Sequence, residues 1–297
     1  MQFPDMKARV ATGAGFIAAL DQSGGSTPKA LAGYGLAPDA WHSDAGMFAL
    51  IHQMRCRIMT SPSFTGATVL GAILFEATMD GLVNAMPVPH WLAGRGIVPF
   101  VKIDTGLEAA ADGVQLLRPI PELADLLARA RGLGMFGTKA RSVIHDAHAP
   151  GIAAVVAQQC ALGEAVLAAG LVPIIEPEIN IASPTRVAAD HLLRDALLAA
   201  LDALPGAEQV MLKLSLPAVA GTFDALVDHP RVLRVVALSG GYSRAEACAE
   251  LAQNRGIIAS FSRALLDDLR AGMDDATFDA TLAAAIAEIN AASTTKG

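Results

Sequence analysis

Residues 171–178 read LVPIIEPE, a short apolar run that ends among carboxylates, and this pattern decides the fold. An apolar run of this length is typical of a strand buried on both faces of a parallel sheet. Residues 209–215, QVMLKLS, repeat the pattern, and the intervening stretch from Thr185 to Leu204 carries apolar side chains at helical spacing. The sequence here predicts a strand, a helix and a second, parallel strand.

The same alternation extends in both directions along the chain. Eight such apolar runs are FIAALD ending at Asp21, VLGAILFE at Glu76, IVPFVKID at Asp104, MFGTKAR at Arg141, LVPIIEPE at Glu178, QVMLKLS at Ser215, VLRVVALS at Ser239 and GIIASFSR at Arg263. Eight units without a long linker predict an α/β fold, a (β/α)₈ TIM barrel that occupies residues 1–297 as a single domain, with closing helices after Arg263. An open doubly wound sheet is the alternative.

The composition agrees with a large core and excludes some classes of partner. The chain is 53% apolar, and its formal net charge of −7 argues against a nucleic-acid surface, which normally shows a basic excess. The first residues lack a signal-peptide profile, and polar residues interrupt the uncharged run from Ile58 to Phe75. Cys56, Cys160 and Cys248 lie far apart, without metal spacing. We therefore expect a cytoplasmic protein with no membrane partner.

Lysine is placed unusually in this sequence. The chain has six lysines, and three of them, Lys102, Lys139 and Lys213, fall inside predicted strands. A strand buried on both faces normally excludes lysine, because a buried ammonium loses its hydration unless it is paired or deprotonated. Each of these lysines therefore needs an ion partner or a chemical role.

The polar residues at the strand ends are expected to converge. Side chains alternate along a strand, so Glu176 and Glu178 share one face, as do Lys139 and Arg141. If those faces point inward, they meet at the carboxyl-terminal mouth of the barrel, where barrel enzymes hold their sites. The converging set is Asp21, Lys102, Lys139, Arg141, Glu176, Glu178, Lys213, Ser239 and Arg263. A structural ion-pair network is the alternative interpretation.

Crowded cations predict a nucleophilic amine. Desolvation and like charges favour the neutral form of one lysine among several, and a neutral amine attacks carbonyl groups. Lys213 is the candidate because apolar residues flank it, whereas Lys102 and Lys139 have charged neighbours on their own strand faces. Glu176, within an apolar run, is the candidate for the proton transfers that an imine requires.

Two glycine-rich turns predict anion binding, although an ordinary turn is the alternative for Ser239, Gly240 and Gly241 taken alone. Ser239, Gly240 and Gly241 follow the seventh run and Arg263 ends the eighth, where barrels commonly bind phosphate through backbone N–H groups.

The second turn, DQSGGSTPK at residues 21–29, offers backbone donors together with Ser23, Ser26 and Lys29 to another anion. Two anion sites predict a bisphosphate.

Segments along nearly the whole sequence also match, in order, those of one known family. They are GFIAALDQSGGSTPKAL, SPSFTGATVLGAILFEATMD, VPFVKID, GVQLLRPI, MFGTKARS, LVPIIEPEIN, VMLKLSLP, VVALSGGYSR and IASFSRAL. In these segments the chain resembles class I fructose-bisphosphate aldolases, particularly the shorter bacterial form. The resemblance implies a lyase of glycolysis and gluconeogenesis that reversibly cleaves fructose 1,6-bisphosphate to dihydroxyacetone phosphate and glyceraldehyde 3-phosphate.

The resemblance also implies roles for individual residues. Lys213 would form the Schiff base and Glu176 would be the general acid/base. The residues implied to surround the reacting carbons and the distal phosphate are Asp21, Lys102, Lys139 and Arg141, and those implied to hold the phosphate next to the ketone are Ser239, Gly240 and Arg263.

The implied mechanism uses an iminium ion as its electron sink. Lys213 attacks C2 of the ketose, Glu176 or Asp21 removes the C4 hydroxyl proton, and the C3–C4 bond breaks. Because the iminium replaces a Lewis acid, we expect no metal and no cofactor.

The chain departs from the longer animal members of that family at three places. They have an acid where this chain has Gln22, a glycine where it has Ser262, and a catalytic tyrosine tail where it ends in STTKG. Steps that use that tail are expected to differ here.

Other functions remain open. HDAH at residues 145–148 is compatible with a zinc-dependent aldolase, and GAGFIA at residues 13–18 fits a dinucleotide fingerprint but precedes a strand. A transaldolase-like or keto-acid aldolase and a non-catalytic sugar-phosphate-binding barrel are further alternatives. In each enzymatic case the expected partner is a small molecule, and a homo-oligomer is compatible with the sequence.

Overall fold

Eight parallel β-strands follow one another in the computed structural model, which describes residues 1–296. Each strand is hydrogen-bonded to the barrel strand that precedes it along the chain. The strands are β1 (Phe16–Leu20), β2 (Val69–Leu74), β3 (Val98–Lys102), β4 (Gly137–Ile144), β5 (Val172–Ile179), β6 (Val210–Ser215), β7 (Val232–Leu238) and β8 (Ile258–Ala259).

The sheet closes between its first and last strands. The backbone N–H of Ala19 in β1 donates to the carbonyl of Phe261, two residues beyond β8, at 3.1 Å. Parallel strands need long crossovers, and the helices between successive strands supply them on the outside. The predicted (β/α)₈ barrel is therefore confirmed, in a nearly closed form.

Helices connect the strands and cover the barrel. Asp274 caps the last helix by accepting a hydrogen bond from the Thr277 N–H at 2.7 Å. Two helices follow β8. The helices are α1 (Phe3–Thr12), α2 (Ser26–Gly33), α3 (Asp44–Thr60), α4 (Glu76–Met79), α5 (Val88–Gly94), α6 (Leu123–Gly132), α7 (Ala149–Ala168), α8 (Arg186–Ala203), α9 (Asp224–Val227), α10 (Arg244–Ala252), α11 (Arg263–Leu266) and α12 (Asp275–Thr294), with a 3₁₀ turn at Pro38–Ala40.

The interior of the barrel is apolar at its amino-terminal end. Met6 and Val10 of α1 pack there against inward-pointing strand residues such as Phe100 and Met211. Arg234 anchors α1 by donating to the carbonyls of Ala11 and Gly13. Burial of each large side chain contributes about 2 kcal/mol. Because this end is filled by apolar groups, the polar side chains that point into the barrel lie at the opposite, carboxyl-terminal end.

Three strands, β2, β3 and β8, end two or more residues earlier than the sequence suggested. Beyond β3, the backbone N–H of Arg141 in β4 donates a hydrogen bond to the Asp104 carboxylate at 3.2 Å. This N–H therefore bonds a side chain and not a backbone carbonyl of β3. Beyond β8, Ser262 leaves the extended region with φ −107° and ψ −79°, and Arg263 begins α11. The expectation that Arg263 ends the eighth strand is therefore wrong by a few residues.

Strand β4 is longer than predicted and extends three residues past Arg141. It pairs with β5 along its whole length, and its last residues also pair with the short antiparallel strand Val114–Gln115. The remaining strands form a small hairpin, Leu82–Val83 with Met86–Pro87.

One helix, α7, is long and apolar enough to cross a membrane by length and composition alone. In the fold it packs against β4, β5 and α8, and it buries Ile152, Val155 and Val166. Its apolar composition is accounted for by this place in the outer ring of the barrel.

Candidate active site

A cavity of about 1320 Å³ opens at the carboxyl-terminal mouth of the barrel. Residues from opposite ends of the sequence line it, because the ends of all eight strands face the same space. The sequence-predicted residues that line it are Asp21, Ser23, Lys102, Lys139, Arg141, Glu176, Lys213, Ser239, Gly240 and Arg263. Ser26, Lys29 and Glu178 line it too, whereas Gly241 is not among its lining residues.

Lys139 lies at the centre of the charged side chains in this cavity. Its Nζ lies 2.7 Å from Asp21 Oδ2, 3.0 Å from Glu176 Oε2 and 3.9 Å from Asp104 Oδ2. Burial opposes its charge, but Asp21 and Glu176 outweigh burial and raise the pKa of Lys139 above its ordinary range. Lys139 is therefore a fixed cation, as its neighbours in the sequence indicated.

Asp21 contacts Lys139 from the end of β1. Burial opposes its ionisation, yet the charges of Lys139 and Lys213 prevail and hold the pKa of Asp21 well below its ordinary range. A carboxylate with such a low pKa binds protons weakly, so Asp21 is suited to balancing positive charge.

Lys213 and Glu176 form a second contact on the inner face of β6 and β5. Lys213 Nζ lies 2.9 Å from Glu176 Oε1, and the two side chains are exposed by 5% and 3%. The other oxygen, Oε2 of Glu176, makes no hydrogen bond to any residue of 1–296, although it contacts Lys139. The pair thus joins the Lys213 amine to a carboxylate whose other oxygen faces the Lys139 cation.

Two further ion pairs extend this network toward solvent. Lys102 Nζ lies 2.7 Å from Asp104 Oδ1, and both side chains are largely buried. Arg141 NH1 lies 2.8 Å from Glu178 Oε2, with 43% of the arginine side chain exposed at the mouth. Lys102 is thereby oriented inside the cavity, and Arg141 at its rim.

The turn after β7 has the backbone that an anion-binding loop requires. Gly240 and Gly241 have φ of +60° and +118°, which L-residues rarely adopt. A Cβ atom on Gly240 would lie 2.6 Å from Ile181 Cγ2, and one on Gly241 would lie 3.5 Å from NH2 of Arg263. The arginine therefore extends over this turn, and Gly241 shapes the turn without lining the cavity.

The turn after β1 is arranged differently from the prediction. The Ser23 N–H donates to Ser26 Oγ at 2.9 Å, and that hydroxyl donates back to the Ser23 carbonyl at 2.8 Å. The Ser23 N–H is therefore already used within the turn. Lys29 at the rim remains as the cation of this loop.

Sequence reasoning missed Arg55, which is 1% exposed below the cavity. Its guanidinium donates to the Gln22 carbonyl, to Gln22 Oε1 at 3.3 Å and to Thr78 Oγ1 at 2.8 Å. Burial, partly offset by Asp21, lowers the pKa of Arg55 to about 10, so it is charged at neutral pH. The signal was present in the sequence, since Arg55 interrupts the apolar face of α3 formed by residues such as Ile51 and Ile58.

The histidines of HDAH have structural partners. His145 Nε2 lies 3.0 Å from Gln115 Oε1, and His148 caps α7 by accepting from the Gly151 N–H. No group of three or more His, Cys, Asp or Glu side chains with metal-binding geometry occurs within residues 1–296. GAGFIA leads into β1 and does not follow a strand, which contradicts the dinucleotide fingerprint.

Comparison with known proteins agrees with this geometry. A family model described as Glycolytic: Fructose-bisphosphate aldolase class-I matches residues 6–220. The chain is 52% identical over 282 residues to a fructose-bisphosphate aldolase class 1 of Synechocystis sp., covering 95% of this chain and 94% of the relative. It is 51% identical over 280 residues to one of Porphyromonas gingivalis, covering 94% of this chain and 95% of that one.

A solved structure shares the fold at lower sequence identity. The fructose-bisphosphate aldolase of Plasmodium falciparum superposes with a TM-score of 0.80 at 19% identity, covering 99% of this chain and 96% of that one. This likeness supports the barrel architecture, while the family follows from the sequence comparisons.

Proposed function

The chain belongs to the family of class I fructose-bisphosphate aldolases, and we propose that Lys213 is the residue that carries its covalent chemistry. The enzyme is a lyase that reversibly cleaves fructose 1,6-bisphosphate to dihydroxyacetone phosphate and glyceraldehyde 3-phosphate. One observation carries the proposal for Lys213: its buried Nζ lies 2.9 Å from a carboxylate oxygen of Glu176.

Imine formation begins with the neutral amine. Lys213 Nζ gives one proton to Glu176 Oε1, its hydrogen-bonded neighbour, and then attacks C2 of the open-chain ketose as the neutral amine. A second proton moves from the amine to the former carbonyl oxygen, which gives a carbinolamine. Glu176 returns the first proton to the C2 hydroxyl group, which leaves as water, and the C2–N bond becomes an iminium ion. The nearby anion of Asp21, whose pKa is far below neutrality, stabilises this positive charge.

Carbon–carbon cleavage then uses the iminium as an electron sink. Glu176 removes the C4 hydroxyl proton, the C3–C4 electron pair moves into an enamine, and glyceraldehyde 3-phosphate leaves as the aldehyde. Both Glu176 and Asp21 are candidates for this base. We favour Glu176 because the low pKa of Asp21 makes it a weak proton acceptor. Protonation of the enamine at C3 and hydrolysis release dihydroxyacetone phosphate and regenerate Lys213.

Two sets of residues are proposed to hold the phosphates. The turn of Ser239, Gly240 and Gly241 together with Arg263 receives the phosphate next to the ketone, since the turn combines left-handed backbone with a guanidinium above it. At the opposite side, the substrate chain and its distal phosphate meet the cations of Lys102, Lys139 and Arg141, with Ser23 and Lys29 at the rim.

Reductive trapping tests the assignment of Lys213. Incubation with dihydroxyacetone phosphate and borohydride followed by peptide mapping is expected to place one adduct on Lys213. The Lys213→Met variant should form none, whereas Lys7→Met, on α1 at the far end of the barrel, should label as the wild type does. An adduct on Lys102 or Lys139, or labelling of Lys213→Met, would overturn the assignment.

Four wider expectations belong to the same proposal. Residues 1–297 act as one domain. The enzyme works in the cytoplasm without nucleic-acid or membrane partners. Its three free cysteines support a reducing compartment. Full activity after exhaustive chelation would support independence from metals, because the iminium supplies the electron sink. Light scattering tests for a homo-oligomer.

A further inference from the structure

Gln22 and Ser262 are 240 positions apart in sequence but meet across the closing seam of the barrel. Gln22 follows Asp21 at the end of β1, and Ser262 follows Phe261, whose carbonyl closes the barrel onto Ala19. Gln22 Nε2 donates to Ser262 Oγ at 2.5 Å.

The orientation of the Gln22 amide is fixed by its other partners. Its Oε1 faces the guanidinium of Arg55, which has only donors, so the atom on that side must be oxygen. Its nitrogen also faces the carbonyl of Ala19 at 3.2 Å, which can only accept. Both assignments agree, so the amide cannot be flipped without losing two hydrogen bonds.

This orientation determines what the hydroxyl of Ser262 can do. The Gln22 amide group donates to Ser262 Oγ, so the serine oxygen is an acceptor in that contact and its own hydrogen points elsewhere. Within the described chain, that hydrogen has no protein acceptor, and Ser262 lines the cavity beside Arg263. The result is a hydroxyl with its donor directed at whatever occupies this part of the cavity.

A second polar side chain at the same place also lacks a partner. Ser260 is 1% exposed and lines the cavity, yet its Oγ makes no hydrogen bond to any residue from 1 to 296. A buried hydroxyl left without a partner costs free energy, which a bound ligand can recover. The unpaired hydroxyl of Ser260 is therefore an independent sign that this wall receives a polar ligand.

We propose that Arg55 and Gln22 act as positioning residues that make Ser262 an obligate hydrogen-bond donor to the phosphate next to the ketone. The proposal rests on the proposed function, because it assumes that this phosphate lies between the Ser239 turn and Arg263. A phosphate monoester offers only acceptors once it is ionised, so it matches a hydroxyl that can only donate. A glutamate at position 22 would instead accept a hydrogen bond from the Ser262 hydroxyl. The hydroxyl hydrogen would then point away from the phosphate.

The condensation direction separates the two phosphates experimentally. Dihydroxyacetone phosphate carries the phosphate next to the ketone, and glyceraldehyde 3-phosphate carries the distal one. Ser262→Ala is expected to raise KM for dihydroxyacetone phosphate about 10- to 100-fold, the range for a hydrogen bond to a charged group. KM for glyceraldehyde 3-phosphate and kcat should stay within about threefold. Ser63→Ala, in the turn after α3 and away from the cavity, is the matched control.

Gln22→Glu tests the positioning role separately from the hydroxyl itself. It is expected to raise KM for dihydroxyacetone phosphate at least as much as Ser262→Ala does. In the Ser262→Ala background the same change should have a smaller effect, because no hydroxyl remains to be turned.

Three outcomes would overturn the proposal: an unchanged KM for dihydroxyacetone phosphate in Ser262→Ala, equal losses for both phosphates, or a Gln22→Glu variant that binds like the wild type. Borohydride trapping distinguishes these failures from failure of the proposed function. If wild-type Lys213 forms no adduct with dihydroxyacetone phosphate, the underlying function is wrong. If it does form one and the KM pattern fails, only the role of Gln22, Arg55 and Ser262 is wrong.

Discussion

Lys213 Nζ and Glu176 Oε1 lie 2.9 Å apart, and neither side chain exposes more than 5% of its surface. Because both side chains are so deeply buried, bulk solvent has little access to this pair, and Glu176 is the nearest proton carrier to the amine. We expect Glu176→Gln to lower kcat by about 10²- to 10⁴-fold, the usual contribution of a general acid/base. KM should change little, because the glutamine still fits the same space. Steady-state kinetics in the cleavage direction measure both quantities.

Glu178→Gln is the matched control for that variant. Glu178 also points inward from β5, as Glu176 does, but it forms an ion pair with Arg141 at the rim. Its loss frees the arginine and is expected to raise KM several-fold with a small change in kcat. Equal losses of kcat in the two variants would show that Glu176 has no special role in proton transfer.

Lys139 holds three carboxylates together, so its removal should affect stability as well as catalysis. Lys139→Met leaves Asp21, Glu176 and Asp104 crowded without their shared cation. Breaking a buried ion pair in this way costs about 3 to 5 kcal/mol. Urea denaturation should therefore show a clearly lower midpoint for this variant, accompanied by a loss of kcat.

Lys102→Met provides the comparison for Lys139→Met, since Lys102 also lies on an inner strand face but, among residues 1–296, forms an ion pair only with Asp104. We expect a smaller shift of the urea midpoint. If the two variants unfold at the same midpoint, the central role of Lys139 in the network is wrong.

Much of the barrel was predictable because buried parallel strands leave a simple pattern. All eight apolar runs became strands in the predicted order, and α8 (Arg186–Ala203) matched the stretch predicted from helical spacing. Strand ends were less accurate. The end of β3 depends on the Asp104 side chain accepting from Arg141, a contact made across two strands that no local pattern contains.

The cavity residues that lie on strands were predictable, because the alternation of side chains along a strand determines which of them point inward. Lys139, Glu176 and Lys213 all point inward, as alternation along their strands required. Contacts across the closing seam were not predictable, because Gln22 and Ser262 belong to loops at opposite ends of the chain. Loop residues have no periodicity, so only the three-dimensional structure brings such pairs together.

The ion pair of Asp21 with Lys139 makes stability depend on pH on the acid side. The pKa of Asp21 is lowered in the folded state from about 3.9 in the unfolded chain. The contribution of Asp21 is therefore present above about pH 4 and is lost as pH falls toward the folded pKa. Asp21→Asn should destabilise the enzyme by about 3 kcal/mol at pH 7, and this difference should shrink below pH 4.

Urea titrations of wild type and Asp21→Asn at pH 7, 5, 4 and 3 measure that difference. Asp275→Asn is the control, because Asp275 pairs with Arg57 at a site where 94% of the aspartate side chain is exposed. It should stay close to the wild type at every pH. A difference for Asp21→Asn that is constant across this range would contradict the folded pKa on which the prediction rests.

The turn at Gly240 should test the phosphate site without touching a charged residue. Gly240 has φ of +60°, and an added Cβ would lie 2.6 Å from Ile181 Cγ2, so Gly240→Ala must shift the turn. Backbone N–H groups that point at a phosphate lose their alignment when the turn shifts. We expect KM for dihydroxyacetone phosphate to rise about tenfold, while KM for glyceraldehyde 3-phosphate is unchanged.

Gly134→Ala separates that local effect from backbone strain. Gly134 has φ of +80° with nothing within 4 Å of an added Cβ, and it lies after α6, away from the cavity. Its replacement should cost about 1 kcal/mol of stability through strain alone, with both KM values unchanged. Because the two glycines share a left-handed backbone, a rise in KM confined to Gly240→Ala would tie the phosphate next to the ketone to this turn. A similar rise in both variants would instead indicate a general loosening of the barrel.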